Sequence, residues 1–194
     1  LNTPQKHLDF HLAKVFEPRF HGKGKWADVS VRQVFMSLIR KRPRDLVKLC
    51  SLAAQRAYSD NSSIIRTQHI ESVFEEYSQG RIQDTINEYR TELPSREKLV
   101  FGMKPHKKEK QTSDNYIYTT AELQSKINKI KQQNTFNFAN GKSSEARDLA
   151  YFLYKINFLT ARKILEDGNI QRKYFEENRY LASPSFEFGY LLLK

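Results

Sequence analysis

The run Arg40-Lys41-Arg42-Pro43-Arg44 packs four cations into five positions, and Asp45 follows at once. Guanidinium forks bind phosphate and carboxylate groups through paired hydrogen bonds. A helix N-terminus adds unpaired N–H groups and the positive end of a dipole. Pro43 suits the first turn of a helix, where its missing N–H is not needed. Arg42 is therefore expected at the N-cap and Asp45 near the third helical position, its carboxylate against the unpaired N–H groups. Arg42 and Arg44 are the candidate anion contacts. The same residues also read as a solvated basic turn.

A second cationic set lies far along the chain, where Arg162, Lys163, Arg172 and Lys173 flank Glu166-Asp167-Gly168-Asn169. Asp-Gly between two β-rich runs signals a hairpin. Cations on such a hairpin either contact phosphates, giving affinity without sequence specificity, or are simply solvated. Lys155, at the end of the preceding helix, joins them as a candidate nucleic-acid contact. Other chemistry is thin. His7 and His11 are four apart, but no Glu follows His7 as it would in a metalloprotease helix. Gly22-Lys23-Gly24-Lys25 does not match the G-x-x-x-x-G-K-S/T spacing of a phosphate loop. Glu75-Glu76 reads as a polar helix face, and the serines and Cys50 have no base at motif spacing. No catalytic residue and no metal ligand is expected.

Helical spacing accounts for most of residues 1–93. Leu8, Leu12, Val15 and Phe16 mark a helix over 5–17, and Trp26 anchors the loop that follows. Ser30 caps a helix from Val31 to about Lys41, with Val31, Val34, Phe35, Leu38 and Ile39 inward. The helix over 43–58 places Leu46, Cys50, Ala53 and Ala57 on one face. Thr67 is expected to cap a helix from Gln68 that buries Ile70, Val73, Phe74 and Tyr77; Gly80 either breaks it or merely sits in it, and Ile82, Ile86 and Tyr89 continue the helical period to Arg90. Leu93-Pro94 closes this part.

Residues 94–194 read differently. A short helix over 95–101 and a basic loop over 102–115, with Lys104, Lys107, Lys108 and Lys110, lead to a strand at Tyr116-Ile117-Tyr118. Thr119-Thr120-Ala121-Glu122 is a capping box opening a helix through Leu123, Ile127 and Ile130. Ser143 or Ser144 caps a helix to about Lys155 that holds Leu149, Ala150, Phe152 and Leu153. Runs from Phe158 to Leu165 and from Ile170 to Phe175 form the hairpin, and Phe186, Phe188, Tyr190 and Leu192 alternate as a last strand. The expected fold class is mainly α: a helical subdomain over 1–93, then a winged helix-turn-helix over 94–194 with a small β-hairpin wing.

The chain carries a net charge of +11, and the excess sits at +8 in residues 1–66, zero in 67–111 and +3 in 112–194. Such a balance favours anionic partners. The longest apolar run, Leu149 to Tyr154, is six residues and far short of the ~18 needed to span a bilayer. No membrane contact is expected. The single cysteine allows no internal disulfide and fits the cytoplasm. A first residue that is leucine, and a last segment that stays apolar up to Lys194, point to a piece of a longer protein.

Arg42-Pro43-Arg44-Asp45-Leu46 with the small-residue helix behind it resembles a stretch of bacterial P-loop ATPases related to the STAND and origin-recognition types. Tyr77-Ser78-Gln79-Gly80-Arg81 and Leu153-Tyr154-Lys155-Ile156-Asn157-Phe158 fit the same family. The resemblance implies a lid for residues 1–93, the winged helix beyond it, and an upstream ATPase core outside these residues. It also implies ATP as the cofactor of the whole protein, none in this piece, and a nucleotide-sensing role for Arg42 or Arg44. The expected function is a non-catalytic regulatory region coupling nucleotide state to partner contacts. The alternative is a DNA-binding winged-helix module. A protein partner, or self-association through the apolar helix over 144–158, is the third possible contact.

Overall fold

The computed structural model describes residues 5–22, 26–39, 42–105, 116–142, 144–168, 170–177 and 185–188, the side chains of 5–8, 187 and 188 excepted. Within these, the chain forms eight helices and six short strands, and it divides into two compact units, residues 1–81 and 82–192. Arg40, Lys41, Lys107, Lys108, Lys110, Ser143, Tyr190 and Leu192 lie outside the described residues, as does the side chain of His7.

The first unit contains α1 (Gln5–Leu12), β1 (Arg19–Phe20), β2 (Val29–Ser30), α2 (Val31–Ile39), α3 (Pro43–Ser59), α4 (Thr67–Ser72) and the start of α5 (Phe74–Glu88). The α2 reading holds in detail: Gln33 N donates to Ser30 Oγ at 3.4 Å, and Val31, Val34, Phe35, Leu38 and Ile39 are all buried. In α3, Pro43 occupies the first turn behind an extended Arg42 at the N-cap. Its buried face differs from the one expected. Asp45, Leu49, Ala53 and Ala57 point inward, while Leu46 and Cys50 are half-buried at the flank. Trp26 does anchor its loop, with ring centroids 6.0 Å from Phe20 and 5.7 Å from Phe74.

Three readings of this unit need correction. The first helix ends at Leu12, because Phe16 belongs to a parallel bridge with Ile65 in which Ile65 N donates to Val15 O at 2.8 Å. The helix expected from Gln68 to Arg90 is two helices. Ser72 Oγ donates to His69 O at 2.9 Å, so that carbonyl is already taken as the helix reaches Val73. Val73 N turns to Ile70 O, and α5 restarts at Phe74. Thr67 is not the cap of α4; Arg66 is. Thr67 is buried, and its N–H and Oγ1 both donate to Glu17 Oε2 at 3.1 Å. The capping acceptor for Arg66 N is instead His69 Nδ1, at 2.9 Å.

The second unit continues α5 and adds α6 (Arg96–Gly102), β3 (Ile117–Thr119), α7 (Thr120–Gln133), α8 (Ala146–Lys155), β4 (Leu159–Ile164), β5 (Ile170–Lys173) and β6 (Ser185–Phe188). The strands form one antiparallel sheet in the order β3-β6-β4-β5. The capping box of α7 is present in both directions: Glu122 N donates to Thr119 Oγ1, and Thr119 N donates to Glu122 Oε2. The N-cap of α8 is Glu145, beyond both serines expected there, Ser143 and Ser144. The apolar surface of α8 is interior, since Ala146, Leu149, Ala150, Phe152, Leu153 and Tyr154 are buried.

Buried arginine closes the turn between α5 and α6. Arg96 Nε donates to Ile86 O, and Arg96 Nη1 donates to Pro94 O at 2.9 Å. One carbonyl in the last turn of α5 and one in the turn before α6 thereby gain a charged donor. Burial, and then Arg90, hold this guanidinium below its ordinary range, with Glu97 opposing them.

Candidate functional site

The basic hairpin is positioned by the end of α8. Asn157 adopts a left-handed conformation, φ +56°, and Phe158 N donates back to Leu153 O at 3.0 Å. This is the way helices commonly stop when an asparagine replaces glycine. The buried Asn157 side chain then ties down the far end of the hairpin. Its Nδ2 donates to Glu176 Oε1 at 2.7 Å, and Phe175 N donates to its Oδ1 at 3.4 Å. Tyr154 packs beside it, with ring centroids 5.8 Å from Phe175 and 6.4 Å from Phe186. Burial first, then Glu176 and Tyr151, push the Tyr154 hydroxyl up to about 12.

From this base β4 and β5 run outward in the register Ala161↔Lys173, Arg162↔Arg172, Lys163↔Gln171 and Ile164↔Ile170. Directly paired residues share a face in an antiparallel ladder. Arg162 and Arg172 therefore stand side by side on one face, with Ile164 and Ile170 next to them. Lys163 and Lys173 lie on the other face. All four residues of β5 are exposed, as is Lys163, and Arg162 is half-buried. The turn closes through Gly168 N to Leu165 O at 3.0 Å, with Gly168 at φ +79°. Its tip carries the exposed acids Glu166 and Asp167. The cations thus lie along the stem of the hairpin.

Lys155 is placed elsewhere. Its Nζ donates to both carboxylate oxygens of Glu92, at 2.7 and 2.8 Å, and so is committed to a neighbour in the same unit.

The arginine turn at the start of α3 has a buried ion pair beneath it. Arg81 Nε lies 2.9 Å from Asp45 Oδ2, with side chains 0% and 2% exposed. Asp45 does sit in the first turn, but its carboxylate meets a guanidinium from α5. Arg44 is exposed, its Nε 4.0 Å from Asp45 Oδ1, and Arg42 is half-buried at the N-cap. Sequence reasoning missed both Arg81 as the partner of Asp45 and Asn157 as the clasp of the hairpin. Only Asn157 left a local signal, an asparagine between the end of a helix and the start of a strand.

Nucleophile chemistry finds little support in these surroundings. Burial pushes the Cys50 thiol up to about 11, which disfavours the reactive thiolate. His69 is buried, and its Nδ1 accepts from Arg66 N while its Nε2 faces Asp60 Oδ2 at 3.5 Å. Among the described residues, no three His, Cys, Asp or Glu side chains are placed to hold a metal ion. A surface cleft of about 520 Å³ in the first unit is lined by Asp9, Arg19, Asp28 and Arg32 among others. Those charges neutralise one another, Arg32 with Asp9 at 2.9 Å and Arg19 with Asp28 at 3.1 Å.

Residues 9–86 match the family model of the FunZ-associated C-terminal helical domain. The match takes in α2, α3, α4 and most of α5, which is the first unit and its continuation, and it covers less than half of the chain. It agrees with a helical domain over this part and carries nothing on a P-loop ATPase. No curated protein and no solved structure matches the chain. No helix among the described residues is long and apolar enough to cross a membrane.

Proposed function

We propose that the chain acts by binding, and that its second unit is a winged-helix-like module whose β4–β5 hairpin grips the phosphate backbone of DNA. The observation that carries this reading is the hairpin itself, with Arg162 and Arg172 paired on one face, Lys163 and Lys173 on the other, a clasped base and every residue of β5 exposed. Support for the winged-helix comparison comes from the order of elements: a helix pair, a hairpin, and a strand β6 that returns between β3 and β4. In winged helices the second helix of the pair enters the major groove. Here α8 turns most of its surface inward and leaves Glu145, Arg147 and Tyr151 as its exposed residues. Backbone contact from the hairpin, without base reading, fits this surface.

Fluorescence anisotropy with labelled duplex and single-stranded DNA tests the proposal at two salt concentrations. Each phosphate contact contributes a slope of about −0.9 in log K against log salt on duplex DNA. Arg162→Glu with Arg172→Glu should abolish binding. Undiminished binding by the double variant would move the site away from the hairpin.

A second reading concerns the first unit. The matched family is named as a C-terminal helical domain, which suits a regulatory region attached to a larger protein. On this reading Arg42, at the N-cap, and Arg44, beside the buried Asp45–Arg81 pair, answer a phosphate group offered by an upstream ATPase core. On that reading Arg42→Ala or Arg44→Ala weakens ATP-dependent behaviour of the full-length protein. ATP affinity and turnover that stay unchanged in both variants would end it.

A further inference from the structure

The loop between α7 and α8 carries the chain's one Asn-Gly pair, Asn140-Gly141. Both residues are exposed, as is Lys142 after them. Two hydrogen bonds shape the segment. Gly141 N donates to Phe138 O at 3.1 Å and closes a turn. Lys142 N donates to Asn140 Oδ1 at 3.1 Å, which bends the asparagine side chain back over the peptide that follows it. Gly141 sits at φ +72°, and a β-carbon built there meets nothing within 4 Å. Glycine supplies the left-handed turn and leaves no side chain between Asn140 Cγ and the nitrogen of the next peptide.

We propose that Asn140-Gly141 is a self-modifying site, at which the folded chain converts asparagine to aspartate and isoaspartate with Lys142 N–H as the oxyanion donor. Solvent base removes the Gly141 amide proton, and the nitrogen attacks Asn140 Cγ. A C–N bond forms and a five-membered ring closes, an intramolecular step favoured by the folded-back side chain. Negative charge develops on Oδ1, the atom that Lys142 N–H already holds, so a donor is in place before it is needed. The Cγ–Nδ2 bond then breaks, and ammonia leaves with a proton from water. Water opens the ring at either carbonyl. Attack at Cγ gives aspartate, and attack at the main-chain carbon gives isoaspartate. The amide proton to be removed is the one donated to Phe138 O, in an exposed turn of the kind that opens without global unfolding.

Other asparagines lack this arrangement. Asn61 is followed by Ser62, whose nitrogen is donated to Ala57 O at 2.9 Å. Asn134 Nδ2 donates to Ile130 O at 3.1 Å, and a β-branched threonine follows it. Asn157 is buried with its Nδ2 held by Glu176 Oε1. Conversion at Asn140 lowers the net charge of +11 by one. Isoaspartate also lengthens the main chain inside the turn. That loosens the bond from Ala139 N to Glu92 O at 3.0 Å and the contact of Phe138 with Phe152, their ring centroids 5.9 Å apart. The site is independent of the nucleic-acid reading.

Incubation of the 194-residue chain at neutral pH, followed by peptide mapping with tandem mass spectrometry, tests it. The stretch 132–142 holds Asn134, Asn137 and Asn140, so one fragment carries the site and two controls. Asn140 should convert at least tenfold faster than either control. Lys142→Pro removes the donor and should slow the folded chain at least threefold with circular dichroism unchanged, whereas Lys142→Ala keeps the N–H and should keep the rate. A free peptide of residues 134–148 should convert equally fast with and without the proline. Conversion of Asn140 no faster than that of Asn134 and Asn137 overturns the proposal, as do equal rates for the proline and alanine variants of the folded chain. Slowing of the free peptide by proline to the same degree would place the effect in the local sequence and overturn the role of the fold.

Discussion

Cys50 is chemically quiet for a reason visible in its surroundings. Burial among the helices raises its thiol from 9.0 to about 11. At pH 8 the thiolate fraction is then about 100-fold below that of an unburied thiol with the ordinary value. Alkylation by iodoacetamide should be slower by about that factor in the folded chain and return to the ordinary rate in urea. Equal rates in both would show that the thiol is not sheltered. The sign also fixes an alkaline effect: the unfolded thiol ionises first, so stability is lost as pH rises from 9 toward 11. Glu122 works in the opposite sense. Hydrogen bonds from the Thr119 backbone and hydroxyl hold its carboxyl below the usual range. Its contribution is present above the ordinary glutamate value and fades as pH falls through the lowered one. Thr119→Ala should cost about 1 kcal/mol in urea titrations at pH 7, and less at pH 3. A loss that does not depend on pH would mean that the Thr119 hydroxyl adds nothing to the hold on Glu122 beyond the backbone bond.

Among the elements, α8 and the hairpin stand or fall with Asn157. Asn157→Ala removes the links to Glu176 and Phe175 and puts a β-carbon at φ +56°. The expected cost is about 2 kcal/mol or more, with amide protection of β5 falling before that of α7 in hydrogen exchange. Uniform loss across the unit would contradict the clasp. Local pattern made several elements legible in the sequence. The α7 capping box, the inward face of α2, the proline-led start of α3 and the hairpin around Gly168 all follow from residues within one turn of each other. The misses share one cause, a partner distant in the chain. The stripe that holds Leu49 is hidden because the polar Asp45 interrupts it, and Asp45 is buried against Arg81, 36 positions later. Thr67 looked like a cap, but Glu17, 50 positions earlier, holds its hydroxyl. Strands β1 and β2, two residues each, are too short to show any period. The hairpin cations were legible as charge, whereas the commitment of Lys155 to Glu92 was not, 63 positions lying between them.

At the scale of the whole molecule, each unit owns a separate apolar cluster. One runs from Phe16 to Tyr77 and the other from Ile82 to Phe186, with no buried residue in common. Leu49 is fully buried in the first, so Leu49→Ala should cost about 2 to 5 kcal/mol. Hydrogen exchange should then show lost protection in α2 and α3 while the amides of Leu153 and Phe158 keep theirs. Equal loss in both clusters would mean that the two fold as one.

The Asp45–Arg81 pair has a consequence of another kind. Both ions have left water, and attraction between dehydrated partners does little more than offset that loss. Removing one member, as in Arg81→Met, strands the other and should cost about 3 to 5 kcal/mol. Replacing both, Asp45→Leu with Arg81→Met, should leave the melting point nearly where it was. What the double variant loses is a penalty against wrong answers. A slip of α5 by a single residue swings its side chains by about 100° around the axis, which would leave a guanidinium and a carboxylate buried apart. With hydrocarbon in both places, neighbouring alignments become nearly equal in energy, and methyl resonances of Leu38, Leu49 and Ile70 should broaden or double. That outcome would make the pair a proofreader of helix alignment, its value counted in the structures the chain does not adopt, and sharp single resonances in the double variant would refute it.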